Sequence, residues 1–205
     1  TKIAHTQQRE RMAALGLRWS EGELATISRR QALAVRKVVL ERVRSWARLG
    51  GYNVTGLRDT PLSASALFDD FGRSKFDTEA FRQLNDETVL LLGRRRARRW
   101  SLDGDRPAPA DPFCFLADGP VAMEIVLAHA GRTLPGGRLS WQLTDRAGQT
   151  VAAGESAISG PLTAGHPVPI AEIAFRTPAV QEPLALGLTV TLQTGERSVR
   201  NSWPL

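Results

Sequence analysis

Enzymatic chemistry needs paired carboxylates, a nucleophile beside a base, or a cluster of metal ligands, and the chain holds few residues that qualify. Asp69 and Asp70 stand side by side. Neighbouring side chains of an extended segment point to opposite faces, so this pair reads as a turn or cap and not as a proton-transfer couple. Asp103-Gly104-Asp105 opens like a calcium loop, but its sixth position is Ala108 where the sharp turn needs glycine, and its twelfth is Cys114 where the ion needs a bidentate glutamate. His5, His129 and His166 show no ligand spacing. Cys114 is the single cysteine, so neither an intrachain disulfide nor a thiolate cage is available. The nucleophile elbow, the phosphate loop and the dinucleotide fingerprint are all missing from the sequence. The inventory predicts no catalytic residue, no metal site and no cofactor on this chain.

Charge gives a second candidate chemistry. The 27 Lys and Arg exceed the 21 Asp and Glu, a formal charge of +6. Arg94, Arg95, Arg96, Arg98 and Arg99 fall within one short run, and Arg29 to Arg48 adds a cationic helix. Clustered guanidinium groups would hold phosphate through bidentate, charge-assisted contacts. No stacking aromatics are interleaved in the run and no nucleic-acid motif accompanies it, so it reads as a solvated face. Nucleic acid is therefore not an expected partner. Nor is a membrane, because no segment approaches the roughly 18 to 20 apolar residues of a span and the N-terminus lacks the apolar core of a signal peptide. The compartment stays open. The chain begins on Thr1, which carries the expectation that it was processed or excised from a longer polypeptide.

The elements that would position such residues fall into two blocks. In the first, a helix over about Thr6 to Leu15 stops at Gly16, and "RWSEGELA" reads as a connecting loop. Val35, Val39, Val43 and Trp46 then form one stripe of a helix from Ser28 to Leu49, capped by Ser28 and stopped by Gly50-Gly51. Tyr52 to Leu57 reads as a short strand, Pro61 to Ser65 as a loop, and Asp77 to Leu84 as a helix. From Thr88 onward the text alternates apolar and polar residues. Leu139, Trp141 and Leu143 line one face of a strand, as do Leu186, Leu188, Val190 and Leu192 of another, with turns at Gly148 and Gly195. With "PFCFLA", "VAMEIVLAHA" and "IAEIAFRT" added, about seven strands predict an immunoglobulin-like antiparallel β-sandwich. The expected class is α+β, with residues 1–87 as one domain and 88–205 as the other.

Gln31-Ala32, Gly51, Asp59, Asp69 or Asp70, Gly72 and Lys75 occur in an order that resembles the last βα unit of family 2 glycoside hydrolases, the β-galactosidase, β-glucuronidase and β-mannosidase group. The resemblance covers about residues 6 to 90. Beyond it, "LSWQLTDRAGQTVAAG" and "NSWPL" look like the β-sandwich that follows the barrel in related proteins.

The resemblance implies the end of a TIM barrel and a retaining parent enzyme whose two glutamates lie about 5 Å apart. Both glutamates would lie upstream of this chain, so the catalytic set here is empty and the chain alone is expected to be inactive. Thr55, Arg58 and Asp59 would be its contribution to the substrate subsite. The implied partners are carbohydrate, through the parent's active site, and either the upstream barrel segment or a second copy of the chain. In β-mannosidase-like members the matching strand carries an aromatic platform, which Thr55 to Asp59 lack. The alternative is a non-enzymatic sandwich module that binds an anionic polymer or protein through its arginine-rich face.

Overall fold

The computed structural model describes residues 3–60, 63–93 and 113–205, so the Arg94 to Arg99 run and the Asp103-Gly104-Asp105 loop lie outside the described residues. Helices come first and two antiparallel sheets follow, an α+β chain. It divides into two compact units, Thr1–Val43 with Leu49–Asn85, and Arg44–Arg48 with Asp86–Leu205. Among the described residues no helix is long and apolar enough to cross a membrane.

In the first unit, α1 (Ile3–Ala14) closes at Gly16, whose φ of +71° suits a residue without a β-carbon. The Gly16 N–H donates to the Ala13 carbonyl at 3.0 Å and the Leu17 N–H to the Met12 carbonyl at 2.9 Å, the bond pair of a Schellman ending. The next helix, α2 (Glu21–Arg44), starts earlier than its apolar stripe suggested. Ser20, and not Ser28, is the cap. Its backbone N–H and its hydroxyl both donate to Glu23 Oε2 at 2.8 Å, while the Glu23 N–H donates back to Ser20 Oγ at 3.2 Å. This reciprocal box satisfies donors that the first turn otherwise leaves open.

The box makes the start of α2 sensitive to acid. Hydrogen bonds from the Ser20 backbone and then its side chain hold the Glu23 carboxyl below its ordinary range. A depressed carboxylate contributes stability above its unfolded pKa and loses it as pH falls through the folded value. The protection of the Glu23 amide, exchange being corrected for its intrinsic rate, is therefore expected to fall once pH drops below about 4, and Glu23→Gln, which cannot titrate, should remove that pH dependence. An unchanged exchange profile in the variant would contradict the box.

α2 ends at Arg44, well short of Gly50-Gly51, and Trp46 lies beyond it. Of its apolar stripe, Val35 and Val39 are 54% and 52% exposed and Trp46 48%, while Val43 is half-buried. Leu40 and Glu41 are the buried residues of α2, with Lys37 paired to Glu41 one turn on. The stretch from Tyr52 to Leu57, expected as a strand, joins no ladder. At its end the Gly56 and Leu57 carbonyls accept from the Leu67 and Phe68 N–H groups at 3.1 and 3.0 Å, too few bonds to extend into a strand. What remains is a set of single bridges, Arg58 with Phe68 and Phe68 with Ser74. The third helix, α3 (Thr78–Asn85), is capped by Asp77, whose Oδ1 accepts from the Ala80 N–H at 2.8 Å.

The second unit contains β1 (Thr88–Gly93), β2 (Pro120–His129), β3 (Gly137–Asp145), β4 (Thr150–Ile158), β5 (Val168–Arg176), β6 (Leu186–Thr194) and β7 (Arg197–Pro204). One sheet runs β1-β2-β5 and the other β4-β3-β6-β7, with every pairing antiparallel. The described residues of "PFCFLA", Phe113 to Ala117, supply no strand, Cys114 to Leu116 being irregular. β1 takes its place in the sandwich. Leu90 to Leu92 are apolar without a break because β1 is buried on both faces, which hides the alternation expected of a half-exposed strand.

Side chains from both sheets meet in one core. Register places three rungs across β3, β6 and β7: Leu143-Leu188-Trp203, Trp141-Val190-Asn201 and Leu139-Leu192-Val199. Leu139, Leu143, Leu188, Val190 and Leu192 are fully buried, while Trp141 and Leu186 are half-buried at its margin. Trp141 lies against Phe175 of the facing sheet, ring centres 5.9 Å apart. The middle rung contains a polar residue. Asn201 Nδ2 donates to the Leu90 carbonyl at 2.7 Å and so ties β7 to β1 across the sandwich.

Candidate functional site

Several residues of the resemblance, Gln31, Ala32, Asp59 and Lys75, come together in the first unit. Arg58 and Asp59 are consecutive, so the bridge between Arg58 and Phe68 sends their side chains to opposite sides. Arg58 is exposed, as is Thr55, which precedes Gly56 at a φ of +81°. Asp59 turns inward. Its Oδ1 accepts from Lys75 Nζ at 2.9 Å and from the Ala66 N–H at 3.0 Å, and its Oδ2 accepts from Lys75 at 3.0 Å. Lys75 Nζ also donates to the Ala64 carbonyl at 2.7 Å. The two charged side chains are 10% and 13% exposed, so the pair sits in low dielectric where Coulomb attraction is strong.

Local sequence explains how Lys75 arrives there. Asp69 Oδ1 accepts from the Phe71 and Arg73 N–H groups, both at 2.9 Å, and Gly72 adopts a φ of +78°. The Asp-Asp-Phe-Gly segment is therefore a tight turn, which returns the chain so that the Lys75 N–H donates to the Leu67 carbonyl at 3.0 Å. Asp69 acts on the backbone and Asp70 takes no part in that network.

In sequence Arg36 looks like one more charge on a cationic helix. It is half-buried, donates to the Ser65 carbonyl and lies 4.9 Å from the centre of the Phe76 ring. Nothing local in the sequence signals this, because its partners are far along the chain. Together Arg36 and Lys75 hold the carbonyls of Ser65 and Ala64, and with Gln31, Ala32 and Phe76 they line a cavity of about 360 Å³. Cavities of this size accommodate small ligands. Its donors suit a polar molecule, although Lys75 is already neutralised by Asp59.

The second unit has a larger cavity of about 890 Å³, lined by Phe115, Phe175, Val180, Leu184, Leu186 and Leu205 among others, with Cys114 at its wall. Its walls are mainly apolar. His129 is buried and occupied at both ring nitrogens, Nδ1 with the Thr88 hydroxyl at 2.9 Å and Nε2 with the Arg132 carbonyl at 2.7 Å. It fills a structural position. Among the described residues no group of three His, Cys, Asp or Glu could hold a metal ion.

A family model described as a domain of unknown function, DUF8488, matches residues 120–205. No curated protein matches the chain. Similar solved structures include a β-glucuronidase from glycoside hydrolase family 2, at 13% identity and a TM-score of 0.36 over 44% of this chain and 10% of that one. Another is the Parabacteroides merdae β-glucuronidase, at 11% identity and a TM-score of 0.31 over 42% of this chain and 11% of that one. A third is R. palustris CsgH, at 14% identity and a TM-score of 0.28 over 42% of this chain and 81% of that one. The chain spans about a tenth of the length of each glucuronidase. These likenesses are distant, and in the two glucuronidases they fall on part of a much longer chain.

Proposed function

We propose that the chain is the C-terminal portion of a family 2-like, retaining exo-glycosidase. Residues 1–87 would be the last βα unit of its barrel and 88–205 the immunoglobulin-like sandwich that follows. The observation that supports this reading is the convergence of the motif residues. Gln31 and Ala32, Asp59 and Lys75 are spread along the first unit, yet they gather around one loop that the ion pair closes. A barrel enzyme uses such loops at the C-terminal ends of its strands to reach substrate.

In this reading Thr55 and Arg58 face the carbohydrate, while Asp59 acts by fixing the loop that carries them. The two catalytic glutamates come from the upstream barrel segment, which is also the partner for the exposed face of α2. The polypeptide encoded by the whole reading frame is expected to hydrolyse an aryl glycoside with retention of anomeric configuration, and the chain of 205 residues alone to be inactive. Arg58→Ser in the full polypeptide should raise KM by about tenfold with kcat little changed, the signature of lost ground-state and transition-state binding in equal measure. Failure of the full polypeptide to turn over any glycoside in a broad panel, or wild-type KM in the variant, would overturn the reading.

A further inference from the structure

Among the described residues the sandwich has four edge strands, and three are guarded against further pairing. β5 carries Pro169, which has no N–H to offer, with Glu172 and Arg176. β7 carries Arg197, Arg200 and Pro204. β1 is short, and its Leu90 carbonyl is taken by Asn201. Charge, proline, short length and covering are the usual means by which an edge avoids another chain.

β4 has the fewest of them. Its nine residues, Thr-Val-Ala-Ala-Gly-Glu-Ser-Ala-Ile, include no proline and one charge. That charge, Glu155, is already paired with Arg138 of β3 at 3.1 Å. Among the described residues β4 pairs only with β3, and its other side joins no ladder. Val151, Ala153, Glu155 and Ala157 are exposed on the outer face, and the small side chains present no steric barrier to an approaching strand.

We propose that β4 pairs antiparallel with β4 of a second copy of this chain, joining two four-stranded sheets into one of eight. Charge arrangement favours self-pairing. A two-fold axis near Ala153 and Gly154 places each Glu155 opposite Val151 or Ala153 of the other copy, so like charges do not face each other and each stays with its own Arg138. The contact is isologous, the commonest kind in homo-oligomers, and it closes at two copies because each β4 has one free side. It uses the second unit alone and does not depend on the glycosidase reading.

Light scattering over about 1 µM to 1 mM tests this. The mass is expected to rise with concentration toward twice 22.4 kDa and no further. Ala153→Pro and Ala153→Lys should each hold the chain at the monomer mass with circular dichroism unchanged, and the lysine variant covers the case in which proline unfolds the strand. In a Cys114→Ser background, Ala153→Cys should form a disulfide across the axis under mild oxidation, whereas Ser198→Cys on β7 should not. A monomer at every concentration overturns the proposal. So does a dimer that survives the lysine change and is lost with Val35→Asp and Val39→Asp on α2, or one that cross-links equally well through position 198.

Discussion

Lys75→Met is expected to destabilise the first unit by about 3 to 5 kcal/mol, the range seen when one member of a buried ion pair is removed. The ammonium group makes three contacts, two with Asp59 and one with the Ala64 carbonyl. Its loss leaves a carboxylate that is 10% exposed without its countercharge and a carbonyl without its donor. Asp59→Leu should be nearly as damaging, since the ammonium is then buried without an anion. The double variant should lose less than the sum of the two, because neither charge is left unpaired. Hydrogen exchange locates the effect. Ala66 donates to Asp59 and the Lys75 amide to Leu67, so both amides should exchange faster in the single variants. Unaltered exchange at Ala66 would show that the pair does not hold the loop.

The second large effect is expected in the sandwich, where Leu188→Ala should cost about 2 to 5 kcal/mol. Leu188 is fully buried between Leu143 and Trp203 on one rung. Truncation removes transfer energy and leaves a cavity that the neighbouring strands cannot fill without breaking their ladders. Val39→Ala removes two carbons instead of three, from a residue that is 52% exposed, and its effect should stay within about 0.5 kcal/mol. Urea unfolding followed by tryptophan fluorescence gives the comparison, with a lower midpoint and an unchanged slope for Leu188→Ala. Equal midpoints for the two variants would contradict the core described above.

These contrasts show what could be read in advance. Alternation at Leu139 to Leu143 and Leu186 to Leu192 marked β3 and β6, because a strand with one wet face records that face in its sequence. β1 recorded nothing of the kind, being buried on both sides. The start of α2 was legible in Ser20 and Glu23 as a capping box, but apolar periodicity alone pointed to Ser28. The valines of α2 did form a stripe, and periodicity reports that a stripe exists without saying what covers it. At the candidate site, Asp59 and Lys75 could be picked out by residue type and order. Arg36 could not, because a guanidinium that caps a carbonyl 29 residues away looks in sequence like any other charge on a helix.

The bond from Asn201 to Leu90 also sets a timetable for folding. Its ends are 111 residues apart, and Arg197 reaches Asp86 over the same separation. β1 can pair with β2 early, but the rung that secures it against the facing sheet requires β7, the strand furthest along the chain in this sandwich. Contacts of such long range carry a large loop-closure entropy before they return any stability, so closure is expected to be slow compared with the formation of α2. During synthesis the apolar face formed by Leu90, Ile125 and Leu127 would wait uncovered until β6 and β7 emerge from the ribosome. That interval makes the half-built sandwich a substrate for chaperones.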